Sequence, residues 1–534
     1  MGLTGKILID GEWVGGLSGH YQAVNPATGD QIQPLLSKAT SEQVEKAVDA
    51  ATHAATELRQ MSIVKRADFL RACANEIMAL GDLLIKRAMA ETGLPQARIE
   101  GERARTCGQL NLFADTVIAG DFLDVRIDTA LPERQPVPRP DVRYMKLPLG
   151  PVVVFGASNF PLAFSVAGGD TASAFAAGCP VLVKGHSSHP GTSELVAQAI
   201  DCAVKKMNMP KGTFSLLMGS GREVGAALVT SPAVKAVGFT GSFSGGMALV
   251  KLANERPEPI PVFTEMGSLN PVVLLPEVMK INAEKIAESF VGSLNMGVGQ
   301  FCTNPGLVVA VDGPDLALFI QKAATCLAQQ PSGVMLNQGI QQAYNDGVAT
   351  ISSQEGVTTE AVGEDFDQKS GFCCQPTLLT VSAFDFMNNS ALNEEMFGPA
   401  SIVIKCNDMK ELTDVIKALK GQLTGTIHAT SEELANYTEL VDALIQRVGR
   451  LLMNSFPTGV EVCHSMVHGG PFPATSDVRF TSVGTAAIDR FLRPLCLQDY
   501  PEELLPEPLQ NKNPLALWRL INGEKTKGTI EGER

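Results

Sequence analysis

Pro151-Val152-Val153-Val154-Phe155 is followed by a glycine-rich stretch and then by a second run, Pro180-Val181-Leu182-Val183-Lys184. Both are short, apolar and bounded by Gly or Pro, the pattern of a strand buried on two faces. Phe214-Ser215-Leu216-Leu217 and Val234-Lys235-Ala236-Val237-Gly238-Phe239 read as the third and fourth such strands, and Val272-Val273-Leu274-Leu275 as the one that closes the unit. Strands of this kind alternating with helical segments predict a parallel, doubly wound α/β sheet.

The reading extends in both directions. A second α/β unit is expected from about residue 278, with strands at 306–311, 399–404 and 425–429 and helices over 280–296, 313–329, 338–353 and 431–445. Upstream, residues 7–13 and 20–25 read as a small β entry, and 40–120 as helical, starting at the cap and early acid of Ser41-Glu42-Gln43-Val44. Between them and the first strand, 121–149 alternates as a hairpin would, leaving the main body. Lone hairpins are marginal in water, so this one is expected to make an oligomer contact. The tail from Gln510 reads as a polar arm, with Leu515-Ala516-Leu517-Trp518 able to dock on a neighbouring surface.

A chain of 534 residues is too long for one core, and with 19% charged and 45% hydrophobic residues it is expected to be folded throughout. The net charge of −14 argues against nucleic acid and anionic membrane as partners. The longest apolar region, 147–169, is interrupted by Asn159, Pro161 and glycines and is no membrane span. Eleven cysteines without repeated spacing, and no leader-like start, suggest reduced thiols in a cytoplasm.

One of those cysteines sits in Gly297-Val298-Gly299-Gln300-Phe301-Cys302-Thr303, where backbone can approach a ligand closely. Glu265 lies in a second Gly-flanked segment, Phe263-Thr264-Glu265-Met266-Gly267-Ser268. A thiol and a general base are what covalent catalysis on a carbonyl needs. Two turns follow strands and open helices: Gly219-Ser220-Gly221-Arg222-Glu223-Val224-Gly225, and Phe239-Thr240-Gly241-Ser242. Amides at the second could hold a pyrophosphate on a helix N-terminus, and two such turns on successive strands suggest a dinucleotide. No Asp or Glu occurs between Lys184 and Glu194, so Lys184 and Ser187 are candidates for a 2′-phosphate, favouring NADP or dual use. Cys463, His464 and His468 could imitate a metal cluster, but no fourth ligand has zinc spacing, and no metal is expected.

Over about residues 5–500 the chain resembles the aldehyde dehydrogenase superfamily. The resemblance is carried by Asn159-Phe160-Pro161, Lys184, Gly241-Ser242, Glu265-Met266-Gly267-Ser268-Leu269-Asn270-Pro271, Gly299-Gln300-Phe301-Cys302 and Glu394-Glu395-Met396-Phe397-Gly398-Pro399. It departs at Ser158, where an aromatic is common, and at Ser268, where a second Gly is usual. The 454–471 segment is similar to an NADP-using branch whose members oxidise α-ketoglutaric semialdehyde or fatty aldehydes.

The resemblance implies two doubly wound Rossmann-like domains plus a β-hairpin oligomerisation flap. The NAD(P)-binding domain would be 1–120 with 150–277, the catalytic domain 278–475, the flap 121–149 with 476–500, and 501–534 a C-terminal arm. Cys302 would be the nucleophile, Glu265 the base and Asn159 an oxyanion donor, with His468 at the mouth of the site. Lys184, Ser187, Gly221, Gly225, Thr240, Gly241, Ser242, Glu395 and Phe397 would hold NADP, with NAD possible. Arg103 and Arg105 would bind a substrate carboxylate, and Phe160 and Phe164 would wall the aldehyde tunnel. The implied reaction is NADP-preferring oxidation of α-ketoglutaric semialdehyde to 2-oxoglutarate by a homodimer or dimer of dimers. A broad or fatty aldehyde dehydrogenase is the alternative within the class, and a non-catalytic binding homologue the one outside it.

Overall fold

The structure, a computed structural model, describes residues 2–365 and 371–531. Its first large sheet has the order Val262–Glu265, Ala236–Thr240, Val152–Phe155, Val181–Lys184, Phe214–Leu217, Ile7–Ile9, Glu12–Val14. The first five strands run parallel, and the two from the N-terminus add an antiparallel edge. Val152–Phe155 has Val181–Lys184 on one side and Ala236–Thr240 on the other. The strand order therefore reverses there, and the crevice beyond the carboxyl ends of such strands is where α/β sheets bind ligands. Helices Ser41–Gln60, Ile63–Ala79, Gly81–Thr92 and Gln96–Ala119 come from the region read as helical. Thr40 caps the first by accepting from Gln43 N, and the Gln43 side chain returns to Thr40 N.

The second sheet has the order Thr358–Val362, Thr377–Ser382, Ala400–Cys406, Leu307–Val311, Pro271–Leu274, Gln422–His428, Val448–Met453. Two expectations are corrected by it. Pro271–Leu274 does not close the first unit, because it pairs with Leu307–Val311 and Gln422–His428 at the centre of the second. The strand that closes the first sheet is Val262–Glu265, which carries the candidate base at its carboxyl end. The chain thus crosses from one sheet to the other between Glu265 and Pro271. The helix expected over 431–445 is two pieces, Ser431–Leu434 and Thr438–Ile445.

The hairpin predicted over 121–149 is present as Arg126–Asp128 and Val142–Pro148, and Leu492–Gln498 pairs with its second strand. The tail is more than a polar arm. Arg519–Ile521 joins Arg126–Asp128 in parallel and turns back through Glu524–Thr526, giving a five-stranded sheet. Leu517 is buried against Gly120. Arg143, 1% exposed, is held by Asp141 at 2.8 Å, Glu502 at 3.2 Å and Asn511 at 2.8 Å. A buried guanidinium needs such partners, and two of the three come from the C-terminal segment, which explains why polar residues dock there.

Candidate active site

The loop carrying the candidate thiol is shaped by three successive left-handed residues, Gly297 (φ 57°), Val298 (φ 60°) and Gly299 (φ 62°). A β-branched residue there is strained by roughly 1–3 kcal/mol, a feature that clusters at functional sites. At Gly299 a Cβ would also stand 2.3 Å from the backbone of Gly398, so only glycine lets the two loops meet. Beyond the bend, Asn270 Nδ2 donates to the carbonyls of Cys302 and Asn304, both at 2.9 Å. Asn270 is fixed in turn by Thr424, and the 268–270 turn by Gln422, whose Oε1 accepts from Ser268 Oγ and from Leu269 N. The Ser268 hydroxyl that replaces the usual glycine therefore ties the turn after Glu265 to the second sheet.

Cys302 Sγ lies 3.3 Å from His468 Nε2, and His468 Nε2 lies 2.8 Å from Glu265 Oε1. Donor atoms of all three residues are within 4.8 Å of one another. Ser482 Oγ donates to Glu265 Oε2 at 2.6 Å. His468 is fully buried, its backbone held by Thr481 and Ser482, and its Nδ1 has no hydrogen-bond partner. A proton on Nδ1 would bury an unsatisfied donor and turn the Nε2 lone pair on a carboxylate. Nε2–H donating to Glu265 is the arrangement that fits.

Burial would raise the Glu265 carboxyl, but the neighbouring His468 and hydrogen bonds from His468, Ser482 and Cys302 hold it below the usual carboxylate range. Burial, and then Glu265 itself, push the Cys302 thiol well above the usual cysteine value. The thiol is consequently protonated at rest, beside a carboxylate that is not. In the cofactor-free protein, alkylation of Cys302 by iodoacetamide is expected to go on rising with pH past about 8.5, the ordinary cysteine value. Glu265→Gln removes a negative charge that disfavours the thiolate, so it should speed labelling at neutral pH. A rate already flat from neutral pH upward would contradict this.

Asn159 Nδ2 donates to Gln300 O at 2.9 Å, two residues before the thiol, leaving its second N–H for another acceptor. Phe160, Phe164 and Phe301 form an edge-to-face series, with Phe160 centroids 5.1 Å from Phe164 and 5.3 Å from Phe301. Phe164 in turn lies 6.2 Å from the His468 ring. The two arginines expected to act together do not meet. Arg103 Nη1 donates to Gly81 O at 3.1 Å, while the Arg105 guanidinium lies over the Phe164 ring at 5.3 Å, within electrostatic reach of Glu102 and Cys302. His464 turns to Thr485 and is exposed.

The residues read as a nucleotide site lie at the carboxyl ends of the first sheet, except Glu395 and Phe397, which precede Ala400–Cys406 of the second. Lys184 ends the strand Val181–Lys184, and its desolvation brings it down to about 8. Ser187 is exposed in the following loop. Ser242 caps helix Phe243–Asn254 by accepting from Gly245 N at 3.2 Å, with Gly241 and Ser242 exposed and Thr240 half-buried. Gly221 opens the neighbouring turn, and Gly225 packs closely on Phe155. Glu395 and Phe397 line a recess with Gly299 and Phe301, and a Cβ on Gly267 would stand 2.1 Å from Glu395 Oε2. An open helix N-terminus and a lysine at the carboxyl ends of one sheet fit a dinucleotide's phosphates, and a carboxylate from the second unit fits a ribose.

A thiol beside an imidazole that bonds a carboxylate, with an amide donor tied to the same loop, offers a nucleophile, a base and a hydrogen-bond donor to a carbonyl carbon. The chain belongs to the aldehyde dehydrogenase family, which it matches over residues 13–471. It is an oxidoreductase acting on aldehydes with a nicotinamide cofactor. It is 54% identical to α-ketoglutaric semialdehyde dehydrogenase 2 of Azospirillum brasilense, across 98% of this chain and 100% of that one. It is 46% identical to an α-ketoglutaric semialdehyde dehydrogenase of Acinetobacter baylyi, across 98% and 99%. Among solved structures, betaine aldehyde dehydrogenase of Staphylococcus aureus in complex with NAD+ superposes with a TM-score of 0.80 at 20% identity, across 94% of this chain and 98% of that one. That likeness is one of fold. Among the described residues, no helix is long and apolar enough to cross a membrane.

Proposed function

We propose that the chain oxidises α-ketoglutaric semialdehyde to 2-oxoglutarate, with NADP the preferred acceptor. Arg105 carries this reading. Its Nε and Nη2 are buried without hydrogen-bond partners, on the helix facing Cys302. A buried guanidinium with unsatisfied N–H groups near a nucleophile suits a substrate whose far end is a carboxylate, which Arg can hold in a bidentate pair. The two relatives above 45% identity, named for this reaction, support the same substrate. For the acceptor, Lys184 with Ser187, in a loop free of carboxylates, supports NADP.

In this reading the Cys302 thiol loses its proton to solvent water and the thiolate sulfur adds to the aldehyde carbon. The carbonyl electrons move to oxygen, where the second Asn159 N–H and the Cys302 backbone N–H donate. A nicotinamide held by Lys184, Gly241, Ser242 and Glu395 would supply the hydride acceptor, and loss of hydride from the carbon leaves a thioester on Cys302. Glu265 takes a proton from water, whose oxygen attacks the thioester carbon. The C–S bond breaks and the acid departs.

The test is kcat/KM for α-ketoglutaric semialdehyde, glutarate semialdehyde and decanal with NADP and with NAD, in wild type and in Arg105→Met. The dicarbonyl acid should lead decanal by about a hundredfold, equivalent to about 2.7 kcal/mol. Arg105→Met should erase that lead and spare decanal. If decanal matches the acid in wild type, the site takes apolar aldehydes and the carboxylate reading falls.

A further inference from the structure

Helix Gln96–Ala119 sends Arg98, Glu102 and Arg105 toward the site at spacings that align them on one face. Glu102 is fully buried as a side chain. Its Oε1 accepts from the backbone N–H groups of Leu162 at 2.8 Å and Ala163 at 2.9 Å, in the turn that begins at Asn159. Its Oε2 faces Arg98 Nη1 at 3.4 Å. The Arg98 guanidinium lies 4.3 Å from the centroid of Phe160 and 5.2 Å from that of Phe301. Phe160 follows Asn159 and Phe301 precedes Cys302. One ion pair thus grips the immediate neighbours of both residues that must converge on the oxyanion.

We propose that Arg98 and Glu102 are positioning residues that set the separation between the Asn159 amide and Cys302. This rests on the reading of Cys302 as nucleophile and Asn159 as donor. Glu102 fixes the Asn159 turn through two backbone bonds. Arg98, made planar by its guanidinium, holds Phe160 against Phe301 and so locks that turn to the cysteine loop. Glu102 pairs directly with Arg98 and only at longer range with Arg105, whose Nε and Nη2 keep no hydrogen-bond partner. The division of labour follows: Arg98 and Glu102 act on every aldehyde, Arg105 only on those with a carboxylate.

The experiment measures the first-turnover rate of reduced cofactor formation and KM in Arg98→Met and Glu102→Gln, with α-ketoglutaric semialdehyde and with butanal. Arg98→Met keeps the bulk of the side chain and removes its planar cation. Both variants are expected to slow the first turnover by roughly tenfold to a hundredfold, by the same factor for both aldehydes, because a small misplacement of reacting groups has that effect. KM and cofactor affinity should stay within about twofold, the signature of an interaction used in the transition state. Arg98→Lys, which keeps the charge without the flat fork, should fall between. An unchanged first-turnover rate together with a lower Tm would make the pair merely structural and overturn the proposal. So would a loss confined to KM for the semialdehyde, which would make Arg98 a substrate anchor. Cys302→Ala separates the two levels. If it keeps the first turnover, the underlying reading fails. If it alone loses it, only the positioning role does.

Discussion

Glu265→Gln is expected to form reduced cofactor once per active site and then stall. The carboxylate accepts from His468 at 2.8 Å and from Ser482 at 2.6 Å, which keeps it ionised and aimed at the sulfur. An amide of the same shape cannot take a proton from water, so hydrolysis of the thioester should slow by roughly 10²–10⁴-fold, the usual contribution of a positioned base. Addition and hydride loss need no base once the thiol is ionised. The Glu265 charge opposes that ionisation, so its removal does not hinder the burst. Rapid-quench measurement of the burst against steady-state turnover checks this. Equal loss of both would move Glu265 into the acylation step and contradict the account.

Asn159→Ala is expected to act on the other half-reaction. Its amide has one N–H on Gln300 O and the other for the developing oxyanion. Losing a single such donor costs about 10²–10³ in rate, roughly 2.7–4 kcal/mol. The loss should appear in the first turnover, with little change in KM, since the donor meets full negative charge only after sulfur has added. A stopped-flow trace of cofactor reduction reads it directly. An Asn159→Ala burst as fast as wild type would take the oxyanion role away from this residue.

The doubly wound sheets were legible because their strands are unbroken apolar runs between glycine turns, as at Val152–Phe155 and Val181–Lys184. Val262–Glu265 was not, because only its first half is apolar and Thr264-Glu265 reads as a polar turn. Its place was visible only once Ala236–Thr240 paired with it. The strands of the C-terminal tail escaped for a related reason. Three-residue segments such as Arg519–Ile521 and Glu524–Thr526 are too short to show a period of two.

The site divides similarly. Cys302 and Glu265 stood out by residue type and glycine context, while His468 came from resemblance alone. Ser482 had no signal, since a serine becomes a carboxylate's partner only through the fold. Arg98 and Glu102 carried no signal within the helical region expected over 40–120, yet Glu102 is buried and bound to two backbone amides. A buried carboxylate at helical spacing from two arginines is the clue that sequence alone leaves ambiguous with a solvated face. Arg103 shows the converse. It shares the Gly101-Glu102-Arg103-Ala104-Arg105 run but points to Gly81, because residues two apart on a helix face different directions.

The central claim is that Cys302 carries the acyl group of an oxidised carboxylate-bearing aldehyde. The measurement that tests it most directly is mass spectrometry of acid-quenched Glu265→Gln after reaction with α-ketoglutaric semialdehyde and NADP. The account predicts a Cys302 peptide bearing the acyl group of the oxidised semialdehyde, in an amount equal to the NADPH released in the burst. NADPH formed while Cys302 stays unmodified, or an acyl group found on a different side chain, would contradict it.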